Sequence, residues 1–269
     1  MPYVRGREKS RTIEDIILEA QKYKDEGVLE LTLLGQNVNS YGRDLYGSPK
    51  FYELLCEIDK IGFKRLRFAT SHPKDISDDV INAFAKLKTL QPALHLPVQS
   101  GSDKILKDMN RKYTSEYYLG LIDKLRQAKP EISLSTDIIV GFPGESEKDF
   151  KATYELVKKV GYHQVFTFIY SKRKGTPAAE IVDNTPKEVI QKRFDSLVEL
   201  VADKAYELNQ LDLNKTMDVL FEGESKKENN ILVGKTPKNQ TVHAPLPDNK
   251  KASDFAGKIY PTKISEAKT

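Results

Sequence analysis

The N-terminal third of the chain alternates apolar stripes of helical spacing with short apolar runs. Thr12 begins a helix-capping pattern, and apolar residues then recur at helical spacing until Gly27 ends the predicted helix. A buried strand is predicted next, at Val28–Leu34. The unit repeats, with a helix over residues 49–62 and a strand at Arg65–Thr70. This pattern predicts alternating helices and strands.

The same alternation continues to the middle of the chain. Further helices are predicted near residues 75–88, 102–110, 114–128 and 146–160. Further strands are predicted at Ala93–Pro97, Ile132–Val140 and Gln164–Tyr170. Strands separated by such helices predict right-handed crossovers and a parallel sheet, either a barrel or a doubly wound sheet. A closed eight-stranded barrel takes about 250 residues. Five predicted strands by residue 170 therefore favour an open or partial barrel.

The character of the sequence changes after one last long helix. Thr185, Pro186 and Glu188 form a helix start, and the helix is predicted to reach Gln210. Short β-like runs separated by Asn, Gly, Pro and Lys then follow, at Met217–Phe221, Ile231–Val233, Thr241–Ala244 and Lys258–Pro261. Short strands with turn signals between them predict a small β-barrel. We therefore predict an α/β domain over residues 1–210 and a β domain over residues 211–269.

Composition and charge narrow the classes of protein. The 269 residues are 39% apolar and carry a formal net charge of +4. A weakly basic chain is compatible with a polyanionic partner but does not require one. The single cysteine, Cys56, excludes a disulfide framework or a metal site built on paired cysteines within the chain, and its position beside an apolar stripe indicates a packed thiol. The sequence has neither an apolar run of about 18 residues nor a signal-like N-terminus, so a cytoplasmic location without membrane contact is expected.

Polar, glycine-bearing segments follow the predicted strands of the α/β domain. They are Gly35-Gln36-Asn37-Val38-Asn39, Thr70-Ser71-His72-Pro73, His95-Leu96-Pro97-Val98-Gln99-Ser100-Gly101-Ser102, Gly141-Phe142-Pro143-Gly144-Glu145 and Tyr170-Ser171. In parallel α/β folds ligands bind at the carboxyl ends of the strands, so these segments predict a polar, extended ligand. The chain lacks the glycine-rich phosphate loops and the serine-hydrolase elbow, which disfavours those two kinds of site. His72 and His95 are candidate bases, but histidines at strand ends are more typical of packing.

Several of these segments resemble the radical S-adenosylmethionine (radical SAM) methylthiotransferase family. The similar segments are Pro2-Tyr3-Val4-Arg5-Gly6, the run from Leu33 to Gly42, Thr70 to Pro73, His95 to Ser102, Met109 to Thr114, and Asp137 to Glu145. Their order and length extend the resemblance over essentially the whole chain. Gly35 to Asn39 and Thr70 to Pro73 are most similar to the branch of the family that methylthiolates C2 of N6-isopentenyladenosine at position 37 of tRNA.

The resemblance implies a partial radical SAM (β/α) barrel and a C-terminal TRAM-like domain, a small β-barrel that binds RNA. It implies S-adenosyl-L-methionine and 4Fe-4S clusters as cofactors, with one cluster held by a Cys-x-x-x-Cys-x-x-Cys loop shortly before the position of Pro2. On this basis the chain is expected to lack that loop, the first barrel strand and a closing C-terminal strand, and to be inactive as given. The implied partners are the anticodon loop of tRNA and an electron donor protein, and a monomer is expected.

Motif positions in the family also imply which residues face S-adenosylmethionine. Gln36, Asn37 and Ser71 are expected at its methionine, Gln99, Ser100 and Arg111 at its carboxylate and ribose, and Asp137 and Gly141 at its ribose and adenine. The resemblance places neither a catalytic side chain nor a metal ligand in this chain. The strand-end positions of Gln36, Ser71, Gln99 and Asp137 predict that these four side chains share one cavity.

Other functions stay open at this point. A sister methylthiotransferase acts on another tRNA base or on a ribosomal protein, and a fragment without the cluster could bind RNA without catalysis. A plain α/β lyase or aldolase would use the same polar strand ends for a small metabolite. That class requires a Schiff-base lysine at a strand end, and the predicted strand ends contain none.

Overall fold

The prediction of an α/β fold is confirmed. The computed structural model describes residues 9–69, 71–173 and 175–268, so the predictions that rest on Pro2 to Gly6 and on Thr70 lie outside the described residues. The helices are α1 (Ile13–Asp25), α2 (Arg43–Tyr46), α3 (Phe51–Ile61), α4 (Asp78–Lys86), α5 (Asp103–Asp108), α6 (Ser115–Ala128), α7 (Glu147–Val160), α8 (Pro177–Glu180) and α9 (Lys187–Gln210). The strands are β1 (Glu30–Leu33), β2 (Arg65–Phe68), β3 (Ala93–His95), β4 (Ser133–Val140), β5 (Gln164–Ile169), β6 (Thr216–Glu224), β7 (Ile231–Lys235), β8 (Thr241–Pro245) and β9 (Ile259–Lys263). Within the described ranges, no helix is both long enough and apolar enough to cross a membrane.

Among the boundaries that differ from the prediction, the starts of β1 and α3 lie two residues later for local reasons. Strand β1 begins later than predicted because the Val28 amide still belongs to the end of α1, where it donates to the carbonyl of Tyr23 at 3.0 Å. Helix α3 begins after the predicted position because the Lys50 amide donates back to the Tyr41 carbonyl at 2.7 Å. Both bonds use tertiary or end-of-helix geometry that a periodic pattern does not contain.

The described residues pack as two compact units. The first contains the described residues up to Leu94, residues 128–132 and Thr216–Lys263. Within it β1 and β2 pair in parallel, with Glu30 opposite Arg65 and Leu33 opposite Phe68. The buried faces of α3 and α4 cover this pair, and the Phe68 ring lies edge-on to that of Phe51 with centroids 5.0 Å apart. This unit thus contains the carboxyl ends of the first two strands.

The second unit contains residues 95–127 and 133–215 and the described residues from Ile264 onward. Strand β4 lies between β3 and β5, and β4 pairs with β5 in parallel, with Asp137 opposite Phe166. Alternate residues of β4 are buried, from Leu134 to Val140, whereas Ser135, Asp137 and Ile139 are half-buried. The parallel pairing predicted for these strands is confirmed, while a single sheet of all five strands stays a prediction.

The C-terminal strands predicted from the turn-separated pattern form an antiparallel sheet in the order β8-β7-β6-β9, whereas a small β-barrel stays a prediction. Val219, Phe221 and Leu232 form its buried core. Gly234 lies where a Cβ atom would be 2.6 Å from a methyl carbon of Val219, so this position requires glycine for the strands to approach. The division of the chain into domains at residues 210 and 211 stays a prediction.

Two buried arginines of β2 join this sheet to the parallel pair within the first unit. Arg65 donates from Nη1 to the carbonyl of Lys235 at 2.9 Å, and Arg67 donates from Nη2 to the carbonyl of Thr236 at 2.9 Å. Glu30 of β1 accepts from Arg67 Nε at 3.0 Å, so the buried positive charge has an acidic partner. The sequence pattern predicted a strand at Arg65–Thr70 and did not predict this junction.

Candidate functional site

The segment after β1 carries unsatisfied buried polar atoms. Asn37 donates from Nδ2 to Asp75 Oδ2 at 2.8 Å, while its own Oδ1 is buried without a hydrogen-bond partner. Asn39 accepts at Oδ1 from the backbone amide of His72 at 3.2 Å, while its Nδ2 is buried without a partner. Ser71, after β2, has a buried Oγ that also lacks a hydrogen-bond partner. The two strand-end segments are therefore tied together and present three unpaired polar atoms.

Such atoms indicate a place for a polar ligand. Leaving a buried donor or acceptor unpaired costs about 1–3 kcal/mol each, so native structures contain few of them. A clustered amide oxygen, amide nitrogen and hydroxyl offer both acceptors and donors. The predicted site residues Asn37 and Ser71 are among these, which fits their predicted contact with the amino-acid part of S-adenosylmethionine.

A cavity of about 400 Å³ opens beside the same segment, between α1 and β1. Gln36 and Asn37 form part of its lining, together with apolar residues of both elements. On the opposite wall, Tyr23 donates from its hydroxyl to Glu19 at 3.0 Å, and Arg11 pairs with the same carboxylate. The cavity therefore brings together two of the predicted site residues, with Gln36 exposed and Asn37 half-buried.

The segment after β3 is held in a strained conformation. Gln99 is buried and has φ +74°, a left-handed conformation that few residues other than glycine adopt. Its amide donates to Asp137 O at 2.9 Å, and its carbonyl accepts from Ile139 N at 3.0 Å. These two hydrogen bonds to β4 hold Gln99 in the strained conformation. Arg111 is half-buried at the turn that ends α5, where its amide donates to Leu106 O at 2.8 Å. Backbone strain of this kind often accompanies functional sites.

Ser100 is fully buried against helix α7. Its Oγ lies 3.1 Å from Thr153 Oγ1, which also accepts from the Gly101 amide at 2.9 Å. Ser102 donates from Oγ to Asp149 Oδ1 at 2.5 Å. These bonds attach the segment that carries Gln99 to helix α7. The predicted contact of Ser100 with the cofactor stays a prediction, because the Ser100 hydroxyl contacts Thr153 of α7 in this structure.

The Asp149 carboxylate in this attachment is kept ionised. Burial alone raises the pKa of Asp149, but hydrogen bonds from Ser102 and from the Ser146 hydroxyl and amide together lower it below its ordinary value. Ser146 also caps α7, since its Oγ accepts from the Asp149 amide at 3.3 Å. The charged form of Asp149 therefore stabilises both the helix start and the segment after β3.

Gly141 allows helix α9 to pack against the end of β4. It has φ +71°, and a Cβ atom at this position would be 2.7 Å from Cγ2 of Ile190. Its amide donates to Glu145 Oε2 at 2.9 Å, and Arg193 Nη1 lies 3.2 Å from the same oxygen. Burial raises the pKa of Glu145, although the amide and the guanidinium oppose the shift. The predicted cofactor contact of Gly141 stays a prediction, since these contacts give it a packing function.

Asp137 has a partner that sequence reasoning missed. Its Oδ1 lies 3.5 Å from His95 Nε2, and the His95 Nδ1 lies 3.0 Å from Ser135 Oγ. The His95 ring also lies edge-on to that of Phe166, with centroids 5.7 Å apart. His95 was interpreted as a packing residue, and the only signal for its partner was the position of both residues on neighbouring strands. Whether all four predicted residues share one cavity stays a prediction, since they belong to different units.

The chain belongs to the radical SAM superfamily, whose family model matches residues 1–157. The similar curated relatives carry the name tRNA-2-methylthio-N(6)-dimethylallyladenosine synthase. The one from Carboxydothermus hydrogenoformans is 51% identical over 269 residues, which are 100% of this chain and 60% of the relative. The one from Caldicellulosiruptor saccharolyticus is 51% identical over 99% of this chain and 56% of the relative. The chain thus spans a little more than half the length of these relatives.

Solved structures give weaker similarities. Methylornithine synthase aligns with a TM-score of 0.49 at 14% identity, over 76% of this chain and 57% of that protein. The radical SAM enzyme coproporphyrinogen III oxidase from Escherichia coli aligns with a TM-score of 0.48 at 16% identity, over 73% of this chain and 48% of that protein.

Membership in the superfamily implies S-adenosylmethionine and a 4Fe-4S cluster. The unpaired atoms of Asn37, Asn39 and Ser71 fit a polar cofactor such as S-adenosylmethionine. The cluster does not fit the residues of this chain, because such a cluster needs several thiolates and Cys56 is the single cysteine. Within the described ranges, no three residues among His, Cys, Asp and Glu are grouped so that they could hold a metal ion.

Proposed function

We propose that this chain is part of an enzyme that methylthiolates C2 of N6-isopentenyladenosine at position 37 of tRNA. The observation that carries the proposal is identity of 51% along all 269 residues to a synthase named for that product. The superfamily match alone would support any radical SAM reaction. Identity at this level over the whole chain supports the substrate as well as the reaction class.

In this proposal the residues of the chain bind and orient the cofactor. S-adenosylmethionine, when bound, supplies the methyl group and the adenosyl moiety of the reaction. Asn37 and Ser71 would pair with its amino-acid part, since their buried polar atoms lack partners. Gln99 is proposed at the carboxylate and ribose of the cofactor, and its strained conformation, fixed by β4 and by the contacts with α7, would hold the side chain without rearrangement. The contacts proposed for Gln36, Ser100, Arg111, Asp137 and Gly141 belong to the same proposal.

The finer structural assignments are also part of the proposal. The parallel strands would form a partial radical SAM barrel, and the antiparallel sheet from Thr216 to Lys263 would be a TRAM-like domain that grips RNA. The partners would be the anticodon loop of tRNA, where unstacked bases can be splayed into a pocket, and an electron donor protein. We also propose that the enzyme is a monomer and that it acts in the cytoplasm.

The test is to disrupt the gene and to digest total tRNA for nucleoside mass spectrometry. We expect 2-methylthio-N6-isopentenyladenosine to disappear and N6-isopentenyladenosine to accumulate, with recovery on return of the intact gene. Loss of a different methylthiolated nucleoside, or a mass change in a ribosomal protein, would instead support a sister methylthiotransferase. Unchanged tRNA and unchanged ribosomal proteins would contradict catalysis and favour an RNA-binding protein.

A further inference from the structure

One face of the strands β4 and β5 carries aromatic rings that are unusually exposed. Phe166 and Phe168 are 42% and 52% exposed. Because side chains alternate along a strand, these two rings share a face. Asp137 lies opposite Phe166 in register, and His95 contacts the Phe166 ring, so both polar groups lie on this face too. We call these four residues, His95, Asp137, Phe166 and Phe168, the stacking face.

The polar pair of the stacking face retains capacity for a further hydrogen bond. The side chains of His95 and Asp137 are 27% and 28% exposed, and their facing atoms are 3.5 Å apart, longer than a strong charge-assisted bond. A carboxylate accepts several hydrogen bonds, so Asp137 can accept one from a third group while it faces His95. The Ser135 hydroxyl, 3.0 Å from His95 Nδ1, holds the ring in place.

Positive charge follows the stacking face directly along the chain. Lys172 and Arg173 are exposed and come after β5, which ends at Ile169. We call these two residues the cation pair. Exposed rings followed by exposed cations are the combination with which proteins bind single-stranded nucleic acid, because bases stack on rings while the cations neutralise phosphates.

We propose that the stacking face binds an unpaired purine base of an RNA chain and that the cation pair holds a neighbouring phosphate. This inference rests on the proposed function, since it names the residues that receive the base. The base stacks on Phe166 and Phe168, and the Asp137 carboxylate beside His95 accepts a hydrogen bond from its edge. The adenine of S-adenosylmethionine is the other purine to consider, but that molecule has no phosphate and offers nothing to the cation pair.

The test uses the full 269-residue chain and an RNA stem-loop with 2-aminopurine in its loop, whose fluorescence falls when the base stacks. Phe166→Leu and Phe168→Leu keep apolar bulk and remove the ring. Each should weaken binding about 10-fold and restore part of the fluorescence. The matched control is Tyr117→Leu, since Tyr117 is also an exposed aromatic, 45% exposed, but lies on helix α6. Because all three side chains are exposed, the variants should fold, which circular dichroism checks.

A second variant separates the two parts of the site. Lys172→Gln combined with Arg173→Gln should reduce the slope of log affinity against log salt by about 0.7 per lost phosphate contact, while 2-aminopurine remains quenched at saturation. Binding by both Phe variants equal to that of Tyr117→Leu would overturn the inference and leave the proposed function standing. The inference is also overturned if the Phe variants lose affinity for S-adenosylmethionine, measured by equilibrium dialysis, but not for the stem-loop. A wild-type chain that binds no stem-loop would overturn this inference, whereas the nucleoside analysis after gene disruption tests the proposed function separately.

Discussion

Gly101 lies so close to helix α7 that a Cβ atom at this position would be 2.5 Å from the carbonyl oxygen of Ala152. The same atom would be 2.6 Å from the Cα atom of Thr153, so both obstacles are backbone atoms that cannot turn away. The close approach lets the Gly101 amide and the Ser100 hydroxyl reach Thr153 Oγ1. The conformation of Gln99 therefore depends on the absence of one methyl group two residues further on.

Gly101→Ala should destabilise the protein by about 1–3 kcal/mol, because the methyl group overpacks the contact with α7. Gly120 provides a matched control, since it lies within helix α6 and a Cβ atom there would meet nothing within 4 Å. Gly120→Ala should stabilise the protein by about 0.5–1 kcal/mol through helix propensity. Urea denaturation measures both. Equal effects of the two substitutions would show that the close contact is not energetically important.

Arg193→Met should cost about 3–5 kcal/mol, because it leaves the buried Glu145 carboxylate without its ionic partner. The two side chains are 8% and 2% exposed and 3.2 Å apart. Lys204→Met on the same helix is the control, since it removes an exposed pair with Glu207 and should cost about 1 kcal/mol or less. Chemical denaturation at neutral pH tests the difference. A small effect of Arg193→Met would mean that water reaches Glu145.

The pH dependence of that variant has a definite sign. Burial already raises the pKa of Glu145 in the folded protein, so deprotonation as the pH rises above the ordinary value of 4.5 opposes folding. Without Arg193 the pKa rises further, and the penalty is largest where Glu145 must be charged. The stability deficit of Arg193→Met should therefore shrink as the pH falls. A deficit that is constant with pH would exclude the charge of Glu145 as its cause.

The stability that Asp149 contributes depends on pH in the opposite direction. Although burial opposes it, hydrogen bonds from Ser102 and Ser146 lower the pKa of Asp149 below its ordinary value of 3.8. Its contribution is thus fully present above that value and is lost as the pH falls through the lower pKa of the folded state. Asp149→Asn should be less stable than the wild type at neutral pH, and the two should converge in strong acid. Parallel stability curves would contradict this assignment.

A polypeptide limited to residues 1–269 should not assemble a 4Fe-4S cluster by itself. Such a cluster takes several cysteine thiolates, and Cys56 on helix α3 is the single thiol. Anaerobic reconstitution with iron and sulfide, followed by absorption spectroscopy, should give the same spectrum for the wild type and for Cys56→Ser. A stoichiometric cluster band in the wild type alone would overturn the prediction.

Periodicity and caps predicted the longer helices, the parallel strands and the C-terminal strands because those signals are local. They did not predict the four-residue helices α2 and α8. Thr12 accepts from the Asp15 amide at 3.1 Å, close to where the pattern placed a helix start. The pairing of His95 with Asp137 was missed because it joins neighbouring strands far apart in sequence. Arg65 and Arg67 were predicted only as members of a strand, since nothing within β2 indicates acceptors in β7 and the turn after it. Local patterns define elements, whereas the chemistry of a site depends on which elements meet.

The junction made by Arg65 has a consequence for the order of folding. Its acceptor, the carbonyl of Lys235, lies 170 residues further along the chain. At a synthesis rate of about 5–20 residues per second, the arginine waits roughly 10–30 s on the ribosome before that acceptor emerges. Until then β2 must leave the guanidinium groups of Arg65 and Arg67 hydrated, which opposes burial of the strand. Completion of the first unit is thus coupled to the synthesis of β7.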